Sequence, residues 1–284
     1  MKAKYINPFT DFGFKKIFGE EASKLLLIDF LRSLLPETNI VDLTFKDKEK
    51  LGKSNEDRKA IYDIYCQDNN GERIIVELQK AKQNYFKDRT VYYSTFPIQE
   101  QAAAGVWNYE LKAVFCIGIL DFIFNDKVKS GEGEVIHTAQ LKDQNNQLFY
   151  DKLKFVYLEM PNFIKTEQAL ETRLDKWLYF IKHLEDFQNI PEIFKDEVFK
   201  KAFEKAEIAN YSEAERDDYE ESLKIYRDLK GVIDTAFDEG KLEGKLEGKL
   251  EVITEVVKKM KLKGLTSKDI ADLTGLSESD IEQL

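Results

Sequence analysis

The sequence predicts an α/β protein: a mixed sheet flanked by helices, followed by an extended all-helical C-terminal region. Three observations predict it. Residues 23–120 alternate between helical and strand patterning, as a mixed core requires. Beyond residue 165 the apolar residues keep a helical period throughout. Hydrophobic residues make up 43% of the 284, enough for a sizeable core, and charged residues make up 34%, which calls for long solvated helices.

The N-terminal part opens with Thr10-Asp11, able to cap a short turn holding Phe12, Phe14, Ile17 and Phe18. A helix over 23–35 lines up Leu25, Leu26, Ile28, Leu31 and Leu35 and stops at Pro36. Strands are expected over 40–45, 59–66 and 73–79. The last two flank the turn-forming run Gln67-Asp68-Asn69-Asn70-Gly71 and so form a hairpin. A helix over 85–104 carries Pro97, a kink or restart point. The apolar run 112–120 reads as a buried strand, and 153–158 as a further strand ended by Met160-Pro161. Helices follow over 167–185, 191–209 and 212–263. The expected organisation is a core domain at 1–165, a helical region at 166–264 and a small hairpin at 265–284.

Composition excludes several chemistries. Two histidines (His137, His183) and two cysteines (Cys66, Cys116) cannot build a zinc finger or a disulfide scaffold. Neither histidine sits beside a nucleophile motif, and the cysteines read as core residues in a reducing compartment. The opening residues lack an apolar signal core, and the run 114–124 is too short to span a bilayer, so a cytoplasmic protein without membrane association is expected. The net charge of −10 is uneven. Residues 1–125 carry 18 basic and 18 acidic side chains; residues 126–284 carry 25 and 35. The bulk field therefore does not steer a polyanion inward, and nucleic-acid binding should be weak and salt-sensitive unless metal or oligomerisation assists.

The hairpin holds the chemistry. If its turn centres on Asn70, Asp63 lies opposite Glu77, and Gln79 shares the Glu77 face. Opposed carboxylates on neighbouring strands repel, and these two stand among Ile61, Ile64, Ile74, Ile75, Val76 and Leu78. Something must compensate them. A divalent cation with oxygen ligands would do so, and Mg²⁺ held by two carboxylates and waters can activate water toward a phosphodiester. Pairing with a buried Lys or Arg would do so equally.

At these residues the chain resembles a known family. Asp63 with Glu77-Leu78-Gln79 resembles the PD-(D/E)XK nuclease signature, with Gln in the lysine position. The opening Asn7-Pro8-Phe9-Thr10-Asp11-Phe12-Gly13-Phe14-Lys15-Lys16-Ile17-Phe18-Gly19 resembles that of the Rpn family, bacterial proteins described as recombination-promoting nucleases or transposases. Val76-Glu77-Leu78-Gln79, Arg89 with Tyr92-Tyr93-Ser94, and Leu158-Glu159-Met160-Pro161 add to the likeness, which spans about residues 5–240.

The resemblance implies a restriction-endonuclease-like fold and a DNA endonuclease dependent on Mg²⁺ (or Mn²⁺), with double-stranded DNA as partner. It places Asp63 and Glu77 as metal-binding acids and Gln79 at the third motif position. Glutamine cannot carry the lysine's charge, although its carbonyl can hold water or metal. A replacement cation could come from Lys15, Lys80, Lys82 or Arg89. Lys80 falls on the face opposite Gln79 if the strand continues, and Arg89 could instead pair with Glu77 and orient it. Asp11 either caps the first helix, extends the acidic cluster, or does both. The phenylalanines at 9, 12, 14 and 18 are expected in the core rather than as a base-stacking platform. The alternative to an active nuclease is a catalytically weak nuclease-fold module for DNA binding or assembly.

The tail reads Glu-Gly-Lys-Leu three times over from Glu239, ending at Glu251. Four residues advance about 400° on a helix, so Leu242, Leu246 and Leu250 form one stripe and Gly240, Gly244 and Gly248 another. Like charges stack at i,i+4, and each glycine costs about 0.8–1 kcal/mol relative to alanine. Packing against a second copy would offset this, so a homo-oligomer through the C-terminal helix is expected, with a partly helical spacer as the alternative. Residues 265–284 have helix-turn-helix spacing, but Glu278, Asp280 and Glu282 would oppose phosphates, which favours a packing hairpin.

Overall fold

The computed structural model describes residues 3–47, 49–50, 60–102, 107–124 and 131–284. Residue 59 of the expected strand over 59–66 and residues 103–104 of the expected helix over 85–104 lie outside the described residues. The chain divides into two compact units, Met1–Asp228 and Leu229–Leu284.

In the first unit, α1 (Asp11–Phe18) and α2 (Lys24–Leu34) precede β1 (Leu43–Phe45), β2 (Glu49–Lys50), β3 (Ala60–Ile61), β4 (Ile64–Asp68) and β5 (Arg73–Gln79). There follow α3 (Phe86–Gln99), β6 (Val114–Leu120), β7 (Ile136–Lys142), β8 (Leu148–Glu159), α4 (Arg173–His183), α5 (Glu197–Ala206) and the start of α6 (Glu213–Leu262). The described residues form a six-stranded sheet in the order β1-β4-β5-β6-β8-β7, with β2 and β3 paired separately. Strands β5, β6 and β8 run parallel; β1, β4 and β7 run antiparallel to their neighbours. This is the mixed α/β core expected.

The pleat assigns alternate residues of β5 to opposite layers. Ile74, Val76 and Leu78 join the large core beneath α1, α2, α4 and α5. Ile75 instead joins Tyr62, Tyr65, Val114 and Cys116 beneath α3. Glu77 and Gln79 continue that second face, so these two candidate residues lie on the α3 side.

The first unit runs past residue 165, where a boundary was expected. Trp177 of α4 is fully buried against Phe18 and Phe30 of the first two helices and Phe199 of α5. These rings belong to one core, and burying each is worth about 1.5–3 kcal/mol. The helices after 165 are therefore a layer of the first unit.

Two further differences concern strands. The expected strand over 59–66 breaks between β3 and β4, at Tyr62-Asp63. The β7–β8 hairpin extends the sheet by an antiparallel pair, although only the 153–158 half of β8 was anticipated. Pro97 sits in the last turn of α3. It has no N–H for the Tyr93 carbonyl, which accepts the Tyr62 hydroxyl at 3.0 Å instead.

In the second unit, α7 (Ser267–Thr274) and α8 (Glu278–Gln283) form the C-terminal hairpin. Ile270 and Ile281 bury against Val257 on α6, and the Gly275 φ of 75° closes α7. Leu242, Leu246 and Leu250 of the repeat are exposed.

Candidate active site

The hairpin register decides the site. Ile64 pairs with Val76, Tyr65 with Ile75, Cys66 with Ile74 and Gln67 with Arg73, so the turn centres on Asn70 as expected. Asp68 holds that turn by accepting the amides of Asn70 and Glu72. One step beyond Ile64–Val76, Asp63 meets Glu77.

The contact is made through side chain and backbone. The Asp63 amide donates to Glu77 Oε1 at 3.3 Å, and the Leu78 amide donates to Asp63 Oδ2 at 2.8 Å. The strand break makes this possible, because an Asp63 amide inside a continuous ladder would face a carbonyl. Gln79 Nε2 donates to Glu77 Oε2 at 3.4 Å. Glu77 and Gln79 are each 8% exposed, and Asp63 is half-buried.

Burial, then the Asp63 charge, push the Glu77 carboxyl up to about 8; the Asp63 amide, Arg89 and Lys15 partly offset this. Burial raises Asp63 too, with Asp11 adding to it, against the Leu78 amide, Lys15 and Lys80. Among the described residues no Lys or Arg closes to ion-pair distance on either acid. Ionised together, the two acids would carry negative charge that no cation among the described residues pairs with. That donor set, two hard oxygen ligands short of positive charge, fits Mg²⁺ or Mn²⁺, which need only one or two carboxylates when water and phosphate complete the shell. Among the described residues no group of three or more His, Cys, Asp or Glu side chains is placed to hold a metal.

The other anticipated residues separate into two groups. Asp11 is not the cap of α1. Thr10 is, accepting the Gly13 amide, and Asp11 sits exposed in the first turn, paired with Lys15 at 2.8 Å. Both charges act on Asp63. Lys80, expected on the face opposite Gln79, also acts on Asp63, and Asp11 acts on Lys80. Arg89 acts on Glu77 from α3, where Nη1 donates to Gln83 Oε1 at 2.6 Å. Lys82 turns elsewhere, donating to the Phe124 carbonyl.

Much of the family-like text is architectural. The Asn7 carbonyl accepts the Thr10 hydroxyl, its side chain reaches Glu185, and its amide donates to the Tyr219 hydroxyl. A Cβ on Gly13 would stand 2.2 Å from the Asn7 carbonyl oxygen, which is why glycine follows Phe12. Phe9, Phe14 and Phe18 are buried, and Phe12 packs on the same core. Glu159, 3% exposed, accepts the Phe124 amide and the Asn162 side chain, so it anchors the chain after β6. Sequence reading passed over Tyr157 and Thr90, whose hydroxyls share a 2.7 Å hydrogen bond beside Glu77. Gly118, opposite Glu77 on β6, is the only local signal, since a Cβ there would press the Tyr157 ring at 3.0 Å.

A family model described as PD-(D/E)XK nuclease family transposase matches residues 8–236. The chain belongs to this family. The mixed sheet flanked by helices is accordingly a PD-(D/E)XK nuclease-like core, and its function is of the nuclease type. No curated protein and no solved structure matches this PD-(D/E)XK chain. Among the described residues, no helix is long and apolar enough to cross a membrane.

Proposed function

We propose that the protein is a Mg²⁺- or Mn²⁺-dependent endonuclease that hydrolyses phosphodiester bonds in double-stranded DNA, in the cytoplasm and in the service of recombination, as its likeness to the Rpn proteins suggests. One observation carries this reading: Asp63 and Glu77 converge, both with raised proton affinity, and among the described residues no side-chain cation pairs with either. Asp63 and Glu77 would hold the metal. When bound, it supplies Lewis acidity toward phosphate and lowers the pKa of water.

The protein's own residues prepare that chemistry. The Leu78 amide fixes one Asp63 oxygen, leaving the other available. The Asp63 amide and Gln79 fix Glu77. Glu77 exchanges a proton for the cation, which makes metal uptake pH-dependent. Lys15, Lys80 and Arg89 moderate the negative potential around the acids, so an anionic phosphate meets less repulsion. Gln79 can orient water through its amide, and Asp11 tempers Lys15. The Leu242, Leu246 and Leu250 stripe would support a homo-oligomer through the C-terminal helix, raising the affinity of a chain whose net charge is unfavourable for DNA.

Supercoiled plasmid with the purified chain and Mg²⁺ should be nicked, and Asp63→Ala should abolish nicking while keeping its fold. Equal nicking by the variant rejects the reading. One observation favours a second reading, a catalytically weak module for DNA binding or assembly: Gln79 leaves the lysine position uncharged. Titration with Mg²⁺ and Mn²⁺ separates the two, because absence of binding at the acidic pair leaves only the second.

A further inference from the structure

Tyr85 is held in a backbone conformation that its side chain resists. Its φ of 61° is in the left-handed region, at the head of α3, where glycine or asparagine would fit with less strain. The neighbours fix that geometry. Phe86 is buried against Tyr157, Phe122 and Phe124. The Tyr85 carbonyl accepts the Arg89 amide at 2.9 Å, and Gln83 accepts both the Phe86 amide and the Arg89 guanidinium.

Among the described residues nothing packs on the Tyr85 ring. It is 80% exposed, and among the described residues it makes no ring contact and no side-chain hydrogen bond. Tyr109 is a useful contrast. It has φ 63° and the same exposure, yet its ring meets Trp107 at 4.9 Å between centroids. A strained residue that keeps a bulky side chain without an internal partner points to an external one.

The setting defines that partner. Tyr85 lies four residues before Arg89, whose charge acts on Glu77. Residues 80–89 carry Lys80, Lys82, Lys87 and Arg89 against Asp88 alone, in a chain that is otherwise acidic. An exposed planar aromatic face in a basic segment of the chain suits a polyanion with exposed planar groups. In a perfect duplex the base faces are already stacked on one another, so the ring can accept only a base that is unpaired.

We propose that Tyr85 is a base-stacking residue that receives an unpaired nucleobase at the head of α3, and that a locally unpaired or distorted stretch is the preferred form of the double-stranded DNA substrate. This rests on the nuclease reading above. The test is fluorescence anisotropy without divalent metal, using a single-stranded oligonucleotide and its matched duplex, with plasmid nicking in Mg²⁺ run in parallel. A 2-aminopurine base in the single strand reports stacking directly.

Tyr85→Gly should suit the backbone and leave the melting temperature unchanged or higher. It should weaken single-strand binding about tenfold, as loss of one stacked base does, and lose the 2-aminopurine quench. Tyr85→Phe should keep both affinity and quench. Wild-type single-strand affinity in the glycine variant overturns the proposal, as does a phenylalanine variant that loses as much as glycine. If the wild-type chain nicks plasmid while the glycine variant binds normally, only the role of Tyr85 falls. A wild-type chain that neither nicks nor binds removes the nuclease reading itself.

Discussion

Glu77 accepts the backbone amide of Asp63 at 3.3 Å, so the two acids are joined through the main chain as well as by proximity. A substitution at either position therefore acts on geometry and charge together.

Asp63→Asn should keep the Leu78 amide bond, since its side-chain oxygen still accepts, while removing one negative charge from the pair. Without metal the variant should melt higher than wild type; with Mg²⁺ it should cut DNA more than about 100-fold more slowly, beyond what loss of a supporting residue costs. Thermal melts and nicking rates on the same preparations check both halves.

The raised Glu77 carboxyl fixes the sign of a pH dependence. Between its ordinary value of 4.5 and about 8, the folded chain holds a proton that the unfolded chain has released. Stability of the metal-free protein should therefore fall as pH rises through that window. Denaturant unfolding from pH 5 to 8 in EDTA should show the slope in wild type and a flatter one in Glu77→Gln. Added Mg²⁺ should restore wild-type stability most at the alkaline end.

Gly13→Ala should destabilise the first unit by about 1–3 kcal/mol, the usual penalty for forcing atoms into a packed site. The added methyl meets the Asn7 carbonyl, which also serves the Thr10 cap. Chemical denaturation measures the loss, and nicking per folded molecule should be unchanged.

Removing the second unit should lower the sedimenting mass. The full chain should run above monomer mass, and a chain ending at Asp228 should run as a monomer. Equal behaviour of the two would reject self-association through α6.

The hairpin was legible because its signals were local: Asp68-Asn69-Asn70-Gly71 fixed the turn, and apolar residues on both sides fixed the register. The break at Tyr62-Asp63 was hidden, since the residues on either side of it are good strand formers. The sequence could not show that the Asp63 amide leaves the ladder for a carboxylate. Strand β7 was missed because Ile136–Lys142 is largely exposed and does not alternate cleanly. The turn Asp143–Asn146, with Asn146 at φ 62°, was the available clue. The boundary near 165 failed because a helical period reveals an apolar face without revealing what covers it.

The phrase from Asn7 to Gly19 serves chiefly to lock α1 onto the core, with Asp11 and Lys15 alone reaching toward the acids. Most of that phrase and Asp63 thus do separate jobs. A descendant gene could lose catalysis by one codon change and still display the whole opening intact, so membership read from the first twenty residues says how a chain folds and leaves open whether it cuts.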